Sequence, residues 1–169
     1  MAMPYDVSTY LLDKENIRDT VLRMMYGFDD RATSTLIDLV YTHDILIQYD
    51  PLLIDFNKKV SSEEWAARLE HMHDRFDTTQ HIVQNLLIEL PQPGTTGNIK
   101  RPDICKARAY AHGWFYKRDA EGRPTIMARR QGGAYELELR RLEETEVKGE
   151  NPWRISVLKV TLNWRDEKE

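Results

Sequence analysis

The stretch Ile104-Cys105-Lys106-Ala107-Arg108-Ala109-Tyr110-Ala111-His112-Gly113-Trp114-Phe115-Tyr116-Lys117-Arg118 decides how the chain is read. Cys105, Ala107, Ala109 and Ala111 fall on one face at a spacing of two. Tyr110, His112, Trp114 and Tyr116 fall on the other. That period predicts a long β-strand over 104–118. Downstream, Asp119–Pro124 is a turn around Gly122, and 125–143 is a strand with a bulge or bend at Gly132-Gly133. A charged turn, Glu144–Pro152, leads into a last strand, Trp153–Trp164. Upstream, residues 91–102 are a Pro- and Gly-rich loop. Before it, 79–90 alternates Ile82, Gln84, Leu86 and Ile88 against His81, Val83, Asn85 and Leu87. Long strands joined mostly by short turns make a largely antiparallel, strongly bent sheet.

The first half has a different period. Ile17, Val21, Met24, Met25 and Phe28 recur at helical spacing and predict a helix over 14–27, with Asp13 as its N-cap. Residues 1–12 read as a loosely ordered arm. Leu36, Ile37 and Val40 suggest a short helix over 33–40, and Ile45–Tyr49 a short strand ended by Pro51. Ser61-Ser62-Glu63-Glu64 contains a capping box, and Trp65, Leu69, Met72 and Phe76 continue it as a helix over 62–75. Helices followed by a run of strands define an α+β fold. About three N-terminal helices packed on one side of a bent sheet would form a cone with an internal cavity.

Composition removes whole classes of function. The chain has 169 residues and a net charge of −4, which suits one domain and lacks the basic excess of a nucleic-acid binder. The single cysteine, Cys105, rules out an internal disulfide and any multi-cysteine metal site. It lies on a face of small residues and reads as an inert buried thiol. No apolar run is long enough to span a membrane. The first residues lack the basic and apolar regions of a signal peptide, so a cytoplasmic protein is expected. Gly-x-Gly-x-x-Gly, phosphate-loop, Gly-x-Ser-x-Gly and His-Glu-x-x-His motifs are absent.

Histidines are the first candidates for chemistry, because they titrate near neutral pH. His71 and His73 are two apart on a helix and point in opposed directions, so they cannot share an ion and read as helix surface. His43 sits in a turn beside Asp44. His81 and His112 lie inside apolar strands, where an inward polar group is costly unless paired. Two such histidines on adjacent strands could share the cavity. Asp29-Asp30 closes the first helix, where the macrodipole disfavours acidic groups.

The order of these pieces resembles a known family. The pieces are a helix with an Asp-containing end, Tyr41-Thr42-His43-Asp44-Ile45-Leu46-Ile47-Gln48-Tyr49, Thr79-Gln80-His81-Ile82-Val83-Gln84-Asn85, Gly133-Ala134-Tyr135-Glu136-Leu137 and Trp153-Arg154-Ile155. They are similar to the SnoaL-like proteins of the nuclear transport factor 2-like superfamily, in the scytalone dehydratase-like branch. The resemblance spans roughly 14–165, with Thr-Gln-His-x-x-x-Asn its most specific motif.

The resemblance implies one cone-shaped domain over 1–169, with the 1–12 arm and the 91–102 loop as additions. It implies that Asp30, Tyr49, His81 and His112 carry acid–base catalysis, while Asn85, Trp114 and Tyr135 shape the substrate site. The dehydratase has a tyrosine just before its aspartate, where this chain has Asp29. A later serine and asparagine fall on Gly133 and Tyr135, so the contacts around the substrate differ. The implied function is dehydration, isomerisation or cyclisation of a hydrophobic or aromatic, carbonyl-bearing molecule of secondary metabolism, with no metal or organic cofactor. A homo-oligomer, dimer or trimer, is expected. Two alternatives share the fold: a hydrophobic-ligand-binding module, and the small subunit of a ring-hydroxylating oxygenase.

Overall fold

The computed structural model describes residues 5–93 and 99–167. A long helix, α1 (Val7–Asp29), opens the chain. A three-residue turn, α2 (Thr33–Thr35), runs into a π-helical turn at Leu36–Val40 and then strand β1 (Tyr41–Tyr49). Strand β2 (Asn57–Ser61), helix α3 (Ser62–His73) and strand β3 (Thr78–Glu89) follow. Strands β4 (Ile104–Lys117) and β5 (Ile126–Arg141), the short α4 (Glu143–Glu146) and strand β6 (Trp153–Glu167) complete it.

The six strands form one curved sheet in the order β2-β1-β6-β5-β4-β3. It is mixed and unclosed: β1 runs parallel to β6, and every other pairing is antiparallel. Strands β1 and β6 are neighbours in the sheet although four strands and two helices separate them in the chain. Among the described residues, no helix is long and apolar enough to cross a membrane.

Helix α1 starts earlier than its apolar pattern indicates. Asp6 is the N-cap, its carboxylate accepting from the Thr9 amide at 2.7 Å. Leu11 and Leu12 face solvent, which hides the first turns from a search for amphipathic spacing. Asp13, expected as the cap, lies inside the helix and is fully buried. Its carboxylate takes two bonds from Arg101, Nη2 at 2.6 Å and Nε at 2.9 Å, and a third from the Trp153 indole at 2.9 Å. Arg101 also pairs with Glu146, which Arg141 holds at 2.8 Å. The described end of the 91–102 loop is thereby tied to α1, β5, α4 and β6.

The capping box is present: Ser61 Oγ accepts from the Glu64 amide at 3.1 Å. Strand β2 is absent from the sequence reading. Only Val60 of its Asn-Lys-Lys-Val-Ser run is buried, and charged residues on an edge strand are a common guard against edge pairing.

The concave face carries the core. Ala107, Ala109 and Ala111 of β4 lie beside Leu137, Tyr135 and Gly133 of β5. Next on β6 are Leu158, Val160 and Leu162. Cys105 belongs to this face and is 1% exposed, and burial pushes its thiol up to about 12. The thiolate is the nucleophile. Cys105 is therefore expected to resist iodoacetamide at pH 8 in the native protein and to react once guanidinium unfolds it, as intact mass would report.

Candidate active site

The last turn of α1 lies against β3, an outer strand of the sheet. Arg31, just past the helix, adopts a left-handed backbone (φ 53°), the conformation that commonly terminates helices. Its guanidinium donates to the Phe76 carbonyl at 2.8 Å, tying the helix end to the start of β3. Asp29 follows the buried Met25 by one turn and so faces the sheet. Asp30 follows Tyr26, which is 67% exposed, and so faces solvent.

The Asp29 carboxylate accepts three hydrogen bonds from β3. Thr79 Oγ1 donates to Oδ1 at 3.0 Å, and the His81 amide donates to Oδ2 at 2.7 Å. His81 Nδ1 lies 2.7 Å from Oδ1. Thr79 and His81 are two apart on a strand, hence on one face. This is the physical content of the Thr-Gln-His motif: one carboxylate bound by a hydroxyl, an amide and an imidazole. Three donors also offset the unfavourable position of an anion at a helix C-terminus. An ionised carboxylate only accepts, so Nδ1 carries the proton and Nε2 is the basic nitrogen.

The His81 ring is clamped edge-to-face between Phe28 (centroids 5.7 Å apart) and Phe115 (5.4 Å). Gly113 sits directly across from it on β4. A Cβ at 113 would come within 2.9 Å of the Phe115 ring and 3.2 Å of His81 Cδ2, so the glycine makes room for both.

His81 lines a cavity of about 100 Å³ inside the cone. Its walls are mainly apolar, with Phe28, Leu69, Phe76 and Phe115 on the His81 side and Val160 and Leu162 across the sheet. Tyr49, Tyr135 and Gln131 bring hydrogen-bonding groups to the same space. Burial raises the ionisation of both tyrosine hydroxyls well above the ordinary range, and the Asp29 charge adds to this at Tyr135. Both therefore remain protonated and able to donate. Among the described residues, no three His, Cys, Asp or Glu side chains converge as a metal site.

Of the seven residues singled out from the sequence, three meet in the cavity: Tyr49, His81 and Tyr135. Asp30 turns its side chain to solvent and caps the helix through its amide to the Tyr26 carbonyl at 2.8 Å, while the carboxylate that meets a histidine is that of Asp29, on His81. His112 is on the convex face, paired across the ladder with Ile82 and Gly132. Its ring sits 5.8 Å from that of Trp114 and 5.6 Å from that of Trp164. Trp114 shares that outer face and cannot line the cavity. Asn85 is exposed at a β-bulge with φ 53°, where the register slips between Gln84 and Leu87. The extra residue moves the inward set from Thr79, His81 and Val83 to Leu86 and Ile88.

Fold and dyad together define a cone-shaped domain with a histidine–carboxylate pair at an internal cavity. The SnoaL-like domain family matches residues 9–159, and the chain belongs to that family. No curated protein sequence matches it. The fold is similar to that of the Kfla4162 protein of Kribbella flavida, with TM-score 0.73, 18% identity and 95% of each chain covered. It is similar to a candidate scytalone dehydratase of Novosphingobium aromaticivorans, with TM-score 0.70, 15% identity and 97% of this chain and 93% of that one covered. A third similar structure is the hexachlorocyclohexane dehydrochlorinase LinA-type3 of Novosphingobium barchaimii, with TM-score 0.67, 16% identity and 94% and 92% covered. These likenesses establish a shared fold.

Proposed function

We propose that the protein is a cofactor-independent acid–base enzyme of the lyase or isomerase type, acting on a small carbonyl-bearing molecule. The observation that carries this reading is the His81–Asp29 pair at 2.7 Å on the wall of an apolar cavity. His81 Nε2 removes a proton from the carbon beside the carbonyl. The electron pair left on carbon moves toward the carbonyl oxygen, and Tyr49 or Tyr135 donates a hydrogen bond to that oxygen as charge develops. Asp29 stabilises the imidazolium and holds the ring in its working tautomer. The imidazolium then returns the proton. Delivery to a departing β-hydroxyl releases water, and delivery to another carbon completes a double-bond shift. Names of fold relatives, a dehydrochlorinase and a candidate dehydratase, agree with elimination as the reaction type.

The test is proton exchange in D2O, followed by NMR, on a panel of aryl and cyclic ketones with and without a β-hydroxyl or β-chloro group. Enzyme-dependent deuterium incorporation at the α-carbon, or elimination, is the expected result. Saturable binding with no exchange anywhere in the panel would leave a ligand-binding module in its place.

A further inference from the structure

Gln131 stands on the cavity wall and takes no part in the dyad. It shares one cross-strand row with His81. His81 is opposite Gly113, Gly113 is opposite Gln131, and Gln131 is opposite Arg165. Directly opposed residues lie on one face of a sheet, so the imidazole and the carboxamide rise from the same concave surface. Two strand spacings of ~4.8 Å put their backbones ~10 Å apart. Gly113 stands between them without a side chain, and the Phe115 ring takes its place: an added Cβ there would come within 2.9 Å of that ring. Phe115 is thus an apolar floor between His81 and Gln131, and all three line the cavity.

The carboxamide is oriented by its neighbour. An amide has an oxygen that accepts and an NH2 group that donates, whereas a guanidinium only donates. Arg165 Nε donates to Gln131 Oε1 at 3.3 Å, so the oxygen end faces β6. The NH2 end is therefore turned the other way, toward β4 and the dyad. Among the described residues, that NH2 group donates no hydrogen bond to the protein. Gln131 is only partly buried, so the group is open to an incoming acceptor. Tyr49 and Tyr135 bring hydroxyl donors to the same space, and the proposed reaction uses one of them on the substrate carbonyl. The Gln131 donors are left for a different atom. An NH2 group is an uncharged donor and suits an uncharged oxygen.

We propose that Gln131 is a substrate-binding residue whose NH2 group, oriented by Arg165, donates to a second, uncharged oxygen of the substrate, a hydroxyl or ether lying across the Phe115 floor from His81. The substrate class narrows to carbonyl compounds that carry such an oxygen. The inference rests on the proposed function for its use of the cavity as the substrate site, but the contact is read by binding alone, without turnover.

Ligand-observed NMR titrations of the full chain with cyclohexanone and tetrahydropyran-4-one test it. The two rings have the same shape, and the second carries an ether oxygen opposite its carbonyl. The ratio of their affinities, compared between the unaltered protein and Gln131→Leu, isolates the contact from the cost of desolvating that oxygen. Gln131→Leu is expected to shift the ratio roughly fivefold against tetrahydropyran-4-one, the usual net worth of one neutral hydrogen bond. Cyclohexanone should bind as before and so report an intact cavity. Gln131→Glu keeps an oxygen for Arg165 and loses the NH2 group. It should shift the ratio in the same direction, and it keeps the test decisive if the leucine variant does not fold. His81→Ala should leave the ratio unchanged, so a failed proton-exchange assay and a failed Gln131 contact remain distinguishable. An unchanged ratio in a folded Gln131 variant, or binding of neither ring by the unaltered protein, overturns the proposal.

Discussion

Replacing His81 by alanine is expected to lower proton-exchange or elimination turnover by ~10²–10⁴-fold, the usual worth of a positioned general base. The loss should fall on kcat, because the base acts in the transition state and the cavity walls that bind substrate remain. Asp29→Asn should cost roughly 10²-fold or more by a different route. The amide can present either its oxygen or its NH2 group to Nδ1, so it no longer enforces the Nδ1–H tautomer that leaves Nε2 basic. ¹⁵N NMR of the His81 ring separates this from simple misfolding: the unaltered protein should show one tautomer, and Asp29→Asn a mixture. Asp30→Asn is the internal control. Its side chain is exposed one position further along the helix, and turnover should stay within about twofold of the unaltered protein, since surface substitutions of this kind are usually neutral. A severe loss in Asp30→Asn with normal turnover in Asp29→Asn would reverse the assignment.

Asp13→Asn is expected to be the most damaging single change to stability outside the cavity. Asp13 is fully buried and accepts bonds from Arg101 and the Trp153 indole. Removing one member of a buried ion pair leaves the other charge desolvated, at a cost of ~3–5 kcal/mol. Arg101 keeps Glu146 and some contact with solvent, so the low end, about 3 kcal/mol, is the expected value. Urea denaturation should show the midpoint falling with little change in slope, because the unfolded surface is the same. Turnover per folded molecule should hold, since the network lies away from the His81 wall. A loss under about 1 kcal/mol would mean that the network is a surface arrangement rather than a buried one.

Much of the domain was legible because periodicity is a local property. A spacing of two marked the strands over 79–90, 104–118, 125–143 and 153–164, and a spacing of 3.6 marked the helices. Gly132-Gly133 was correctly read as a bend: the β5–β6 register shifts there, and a Cβ on Gly133 would strike the Thr161 carbonyl. Thr79-Gln80-His81 was read as the most specific motif, and it is the piece that grips Asp29. The choice of Asp29 over Asp30 was also within reach. Stepping four residues on from Met25, which the helical spacing had already placed inside, arrives at Asp29.

Other features lay beyond any one-dimensional reading. Alternation along 104–118 separates Cys105 and the alanines from Tyr110, His112 and Trp114, but it does not say which set looks into the cone. Ladder register decides that: His81 falls opposite Gly113, so His112 must point the other way. The bulge at Asn85 reversed the faces midway through β3, and a left-handed asparagine gives no warning in a run that otherwise alternates cleanly. Arg68 and Arg75 lie in and just after α3, Arg129 in β5 and Arg165 in β6, and only the tertiary fold brings them to one opening. By itself, then, the sequence determined the elements, the family and the histidine, because each is written in short-range spacing. Which carboxylate meets that histidine and which faces turn inward were decided by the tertiary structure, because strand pairing and helix docking set distances between residues that local spacing leaves free.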